Sequence, residues 1–347
     1  MASSRIDRVF ERRLASLVNA GDSTLLQGGR RGVEKESLRV TPEGRIATTA
    51  HPAALGSALT NDNITTDYSE ALIELVTPTF RTNWELLQYL CDLHQFVYRH
   101  LGDELLWATS MPCVVDGDAS IPIAQFGPSN VGRMKTIYRE GLGLRYGRVM
   151  QAISGVHFNY SFPERLWEAW ASIRESRDAG QDFVSASYFE LLRNYRRHGW
   201  IVLYLFGVSP TVCKSFLRAR GETLPEFGLG TAWEPNATSL RMSDLGYRNR
   251  NQSGVEVSVN SLSDYVRDLT RAISTPHPEY ERLGVKVDGE YRQLNANLLQ
   301  IENEYYSFIR PKRVARSGER PTKALLRAGV EYVEVRALDV SAFDPVG

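Results

Sequence analysis

The sequence predicts an α+β fold, an antiparallel sheet with helices packed on one side. Three observations carry that reading. Runs at 32–40, 70–76, 153–162 and 330–338 alternate apolar and polar residues with period two, as half-buried strands do. Between them, segments such as 5–19, 82–101, 163–206 and 261–273 read as helical, several with apolar residues three and four apart. No repeat, low-complexity tract or Pro/Ser linker divides the 347 residues, so residues 1–347 read as one domain.

Composition excludes several function classes. Lys plus Arg and Asp plus Glu both total 41, so no net field draws the chain to nucleic acid or an anionic membrane. No run of about 18 apolar residues is present to span a bilayer. Cys91, Cys113 and Cys213 have neither paired nor metal-type spacing, which fits a reducing compartment. The start, Met1 to Arg5, has no apolar signal core. These features predict a cytoplasmic, soluble protein.

In chain order, Arg5 to Val18 reads as an amphipathic helix. Gly32-Val33-Glu34-Lys35-Glu36-Ser37-Leu38-Arg39-Val40 follows as a strand, closed by a turn at Thr41-Pro42-Glu43-Gly44. Its Glu34 and Glu36 share a face, about 7 Å apart, which is costly unless a cation lies between them. A partner strand is expected from Arg45-Ile46. In 62–80, period two sets Ala71, Ile73 and Leu75 on a core face, with Glu70, Leu72 and Glu74 opposite. Val76-Thr77-Pro78 suits a strand ending better than a helix. Thr82 and Glu85 form a capping box for a helix whose buried stripe includes Leu86, Leu90, Leu93 and Val97. His94 and His100 on it read as structural or surface residues.

Residues 118–150 read as a loop and a helix at a binding rim. His157, Asn159 and Ser161 then share one strand face, either solvated or in a site. Helices fill 163–206, and 227–251 reads as a long functional loop. Its Gly228-Leu229-Gly230 lacks the spacing of a phosphate loop. Ser261 with Asp264 caps a further helix, and Asp288-Gly289 marks a hairpin. In the last strand Tyr332, Glu334 and Arg336 lie opposite Val333, Val335 and Ala337.

Collected, the strand acids are Glu34, Glu36, Asp67, Glu74 and Glu334, joined by His157. So many oxygen ligands with one imidazole suit Mg²⁺ or Mn²⁺ better than zinc. Several divalent ions clamping a triphosphate need that many carboxylates, and Arg336 beside them would stabilise a transferring phosphoryl group. Arg310, Lys312, Arg313 and Arg316 could meet phosphates, or form an ordinary solvated basic loop.

Four ordered motifs resemble the bacterial type 1 glutamate–cysteine ligase family: Gly32 to Arg39, Ile64 to Glu74, Gly155 to Asn159 and Glu331 to Arg336. The resemblance runs from about residue 10 to residue 345. It implies a glutamine-synthetase-like antiparallel funnel with flanking helices. It implies ATP as co-substrate, with Mg²⁺ (or Mn²⁺), in joining the γ-carboxyl of L-glutamate to the amine of L-cysteine through a γ-glutamyl phosphate. By motif, Glu34, Glu36, Asp67, Glu74, His157 and Glu334 would hold metal, with Glu34, Glu36 and Arg336 catalytic. Arg241 would meet a substrate carboxylate. Tyr68, Tyr138, Leu142, Gln151, Tyr247 and Tyr306 would shape the cysteine pocket. A monomer is expected. Family members continue past residue 347, so this catalytic domain reads as C-terminally truncated, with exposed apolar surface and reduced stability or activity expected. Two rivals remain at this stage: a carboxylate–amine ligase with another acceptor, and an inactive Mg-nucleotide-binding fragment.

Overall fold

The computed structural model describes residues 5–19, 23–247, 252 and 254–347. Its central sheet contains β1 (Arg30–Val40), β2 (Ile64–Thr66), β3 (Leu72–Val76), β4 (Leu105–Leu106) and β5 (Val156–Ser161). Two-stranded hairpins follow, β6 (Thr211–Cys213) with β7 (Thr231–Trp233) and β8 (Lys286–Val287) with β9 (Glu290–Tyr291). The chain then returns to the sheet as β10 (Ile309–Lys312) and β11 (Tyr332–Leu338). The order is β10-β11-β5-β1-β3-β2, antiparallel at every pairing, with β4 on the end of β1.

The helices are α1 (Arg5–Asn19), α2 (Asn83–Tyr98), α3 (Asn130–Tyr146), α4 (Arg148–Gln151), α5 (Glu164–Ile173), α6 (Gln181–His198) and α7 (Trp200–Phe206), then α8 (Lys214–Arg220), α9 (Leu262–Ala272), α10 (Pro278–Leu283) and α11 (Pro321–Ala328). Local chemistry explains their starts. Thr82 Oγ1 accepts from Glu85 N–H at α2, Ser129 caps α3, and Ser261 Oγ accepts from Asp264 N–H at α9. Asp288 (φ 52) and Gly289 (φ 89) both take positive φ, as the tight β8–β9 turn requires.

The sheet divides by strand period. Val33, Ile73, Leu75 and Val156 pack on the α2 stripe Leu86, Leu90 and Val97. Further along that face, Val333 packs with Tyr188, Phe189 and Leu192 of α6. The opposite face is apolar at one end only, where Leu38, Val40 and Leu72 meet Leu142, Tyr146, Val149 and Met150 of α3 and α4. Helices therefore flank both faces, not one as the sequence suggested, and α3 with α4 stands over the polar half.

Other local expectations shift. Arg45-Ile46 makes only isolated bridges, Arg45 to Val114 and Ile46 to Val40. Glu70 precedes β3 and turns off the acid face, its carboxylate accepting from His51 N–H at 2.9 Å and Gln125 N–H at 2.7 Å. The 227–251 segment contains a strand, β7; its residues 248–251 lie outside those described. Exposed apolar side chains concentrate on α7, where Trp200, Tyr204 and Phe206 are each more than 60% exposed. None of the described helices is long and apolar enough to cross a membrane.

Candidate active site

Register brings the acids together. Glu34 pairs with His157, Glu36 with Glu74, and Glu334 with both Asn159 and Arg310. With a side-chain period of two, all of these project from one face. Asp67 lies one residue past β2, at the rim. The face floors a cavity of about 260 Å³. The residues assigned metal, catalytic or substrate-binding roles from the sequence all line it: Glu34, Glu36, Asp67, Tyr68, Glu74, Tyr138, Leu142, Gln151, His157, Arg241, Tyr247, Tyr306, Glu334 and Arg336.

At the acid end, Glu34, Glu74 and His157 each offer a ligand atom within 4.8 Å of the others. His157 Nδ1 is 3.1 Å from Glu34 Oε2, and Asn159 Nδ2 donates to Glu34 Oε1 at 3.0 Å. Glu36 Oε2 accepts from Gly155 N–H at 2.7 Å, and its other oxygen is 3.8 Å from His157 Nε2. Burial and the Asp67 carboxylate push Glu36 up to about 8, with Arg241 and Arg336 offsetting only part. Burial, Asp67, Glu34 and Glu36 likewise push Glu74 well above the carboxylate range. Burial would raise Glu34 too, but the His157 hydrogen bond and the Lys312 charge bring it below its ordinary value. His157 is held down, mainly by burial and the Arg336 charge.

The other end is cationic. Arg336 Nη1 donates to Glu334 Oε1 at 3.2 Å and lies 3.4 Å from His157 Nδ1. Lys312 Nζ reaches the same Glu334 oxygen at 3.4 Å. Burial opposes ionisation of Glu334, but Lys312 and Arg336 pull it well below the usual range. Its Oε2 is nonetheless buried without a partner.

The wall has its own architecture. Arg241 Nη1 donates to Arg336 O at 2.8 Å, and the guanidinium sits 5.0 Å from the Tyr247 ring centre. Gly155 makes room for it: a Cβ there would lie 2.0 Å from Arg241 Nη2. Tyr247 OH donates to Ile153 O at 2.9 Å, and its ring is 5.3 Å from that of Tyr306. Gln151 Nε2 donates to Tyr306 OH at 2.8 Å, whereas Tyr68 OH is buried without a partner.

Sequence reasoning passed over Arg139, and left Arg310 and Lys312 open between phosphate contacts and a solvated loop. Of the cluster with Arg313 and Arg316, β10 turns Arg310 and Lys312 into the cavity. Arg313 instead caps the end of α11 through Gly329 O, and Arg316 is exposed. The alternation Ile309-Arg310-Pro311-Lys312 was the signal. Arg139 holds the Asp67 backbone carbonyl through Nε. Asn303, Glu304, Met242, Ser307 and Phe308 also line the cavity.

The family model for glutamate–cysteine ligase matches residues 14–347. The chain belongs to the glutamate–cysteine ligase family. The glutamate–cysteine ligase of Alcanivorax borkumensis is 54% identical over 343 residues, covering 97% of this chain and 65% of that protein. That of Edwardsiella ictaluri is 55% identical, covering 93% and 62%. The chain thus spans less than two thirds of the length of these relatives. The solved glutamate–cysteine ligase of Francisella tularensis, in complex with AMP, superposes with a TM-score of 0.85 at 42% identity, covering 92% of this chain and 63% of that one. The family's fold, a mainly antiparallel sheet flanked by helices, is the one found here.

Proposed function

We propose that this chain is the catalytic unit of an ATP-dependent glutamate–cysteine ligase, joining the γ-carboxyl of L-glutamate to the amine of L-cysteine in glutathione synthesis. The observation that carries the reading is the convergence of carboxylates and His157 beside Arg336 in one cavity of a member of this family. The AMP-bound relative supports adenine nucleotide as co-substrate.

The residues fit divalent cations. Glu34, Glu74 and His157 converge, Glu36 and Glu74 are short of positive charge, and Glu334 keeps an orphan oxygen. Glu34, Glu36, Asp67, Glu74, His157 and Glu334 would hold Mg²⁺ or Mn²⁺, which would draw charge from the phosphate oxygens of bound ATP. A glutamate γ-carboxylate oxygen attacks the γ-phosphorus and ADP leaves. The cysteine amine then attacks the acyl carbon and phosphate leaves. Arg336, fixed by Glu334, faces the phosphoryl group in both steps and stabilises its charge. Arg241, braced by Tyr247 and Arg336 O, meets the substrate carboxylate. Tyr138, Tyr247, Tyr306, Leu142, Gln151 and Tyr68 enclose the small acceptor side chain. A cytoplasmic monomer is the working state in this reading.

Incubating the chain with ATP, Mg²⁺ and glutamate, with and without cysteine, tests it. Cysteine-dependent release of ADP and phosphate with a γ-glutamyl dipeptide, lost in Glu34→Gln, is expected. Turnover with other amines but not cysteine would overturn the acceptor; nucleotide binding without release would make the chain a binding module.

A further inference from the structure

Cys113 and Cys213 are 100 positions apart in sequence, yet their sulfurs lie 3.0 Å apart. Both are half-buried and outside the active-site cavity. Hydrogen bonds already fasten the two segments there. Ser215 Oγ donates to the Cys113 carbonyl at 2.9 Å and accepts from Val115 N–H at 3.1 Å. Cys213 ends β6 and immediately precedes α8, so its backbone is held on both sides.

We propose that Cys113 and Cys213 form a modification site, a dithiol that closes to an intramolecular disulfide by exchange with a low-molecular-weight disulfide. The sulfurs need approach by only about 1 Å to reach bonding distance. Burial, then the Cys113 contact, pushes the Cys213 thiol up to about 12, so exchange opens at Cys113. The Cys113 thiolate attacks one sulfur of the small disulfide and one thiol leaves. Cys213 then gives up its proton and attacks the Cys113 sulfur, releasing the second thiol. Two electrons and two protons pass from the protein to the small disulfide.

The bond would join two braces of the acid face. Near Cys113, Ser110 accepts from Ser154 N–H, ahead of β5, at 2.9 Å and from Val340 N–H, after β11, at 2.8 Å. Beyond Cys213, Ser239 Oγ donates to Asp339 at 2.8 Å, two residues before Arg241. The inference does not depend on the ligase reading, because its test measures thiols rather than turnover.

The folded chain is incubated with glutathione disulfide, quenched with iodoacetamide, and its intact mass and linked peptides are read. Loss of two hydrogens, alkylation of Cys91 alone and a 113–213 linked peptide are expected. A crosslink closing so long a loop should also raise the melting temperature by several degrees. In Cys113→Ser the linked peptide and the melting shift should both vanish. Three alkylated cysteines after incubation, a stable glutathionyl adduct without linkage, or a link through Cys91 would overturn the proposal. Each can be read on the unsubstituted chain even where the variant folds poorly.

Discussion

β1 meets two chemistries on its two faces. Glu34 and Glu36 point to the cavity, where acids outnumber nearby cations at one end and two of them, Glu36 and Glu74, are driven toward protonation. Lys35, between them, points the other way into the apolar layer under α2 and is itself 5% exposed. There Lys35 has a partner within the chain, Nζ contacting His94 Nε2 at 2.7 Å while His94 Nδ1–H donates to Leu90 O at 2.8 Å. Burial still pushes the ammonium down to about 8, with the Asp344 charge offsetting part. The apolar face gives its buried ammonium a neutral acceptor from within the chain; on the acid face Glu36 and Glu74 stay raised, and the proposed divalent ions would supply the positive charge.

Glu74→Gln should therefore separate function from stability most sharply. Burial and the neighbouring carboxylates raise Glu74 well above the usual carboxylate range, and glutamine has nearly the shape of the protonated acid. In EDTA the melting temperature should match the unsubstituted chain, while ligase activity with Mg²⁺ falls by about a hundredfold or more. The rise in melting temperature on adding Mg²⁺ should shrink too. A large loss of stability in EDTA would mean that the acid face is a structural network after all.

The reciprocal change is Leu75→Ala, on the other side of the same sheet. Leu75 is fully buried with Ile73 against α2. Truncation should cost about 2–5 kcal/mol in urea unfolding, through lost burial and a cavity. KM for ATP and kcat per folded molecule should stay within about twofold, since no cavity residue moves. A marked change in KM would show that the two faces are coupled through the strand.

Much of this division was legible because strand period is rigid. Once Glu34/Glu36, Glu74, His157 and Glu334/Arg336 were read with period two, their shared face followed, and the structure's register sets them side by side. Arg310 and Lys312 could not be told from Arg313 and Arg316 because β10 is four residues long and runs straight into basic residues that face elsewhere. Glu70 misled for the opposite reason: it continues the alternation of β3 by spacing, but the chain is still turning there. The Lys35–His94 pair had no local signal, since the partners lie 59 residues apart. The placing of α3 and α4 above the acid face depends on the apolar patch of Leu38 and Leu72, which alternation alone cannot assign to one helix.

The smallest expected effect is the most diagnostic of how the apolar face handles charge. Burial, with Lys35 beside it, pushes His94 down to about 4 from an ordinary 6.5. The folded chain thus holds the neutral ring, while the unfolded chain takes up a proton near pH 6.5. The resulting stability is complete above about pH 6.5 and is lost as pH falls toward 4. His94→Gln keeps an oxygen acceptor for Lys35 but cannot titrate. Between pH 6.5 and 4, the unsubstituted chain should lose up to about 3 kcal/mol more unfolding free energy than the variant. Urea unfolding of both chains across that range measures the difference, and groups elsewhere cancel because they are common to both. Parallel pH curves would mean that His94 accepts a proton in the folded chain. Lys35 would then need a different acceptor, and the apolar face would be no better compensated than the acid one.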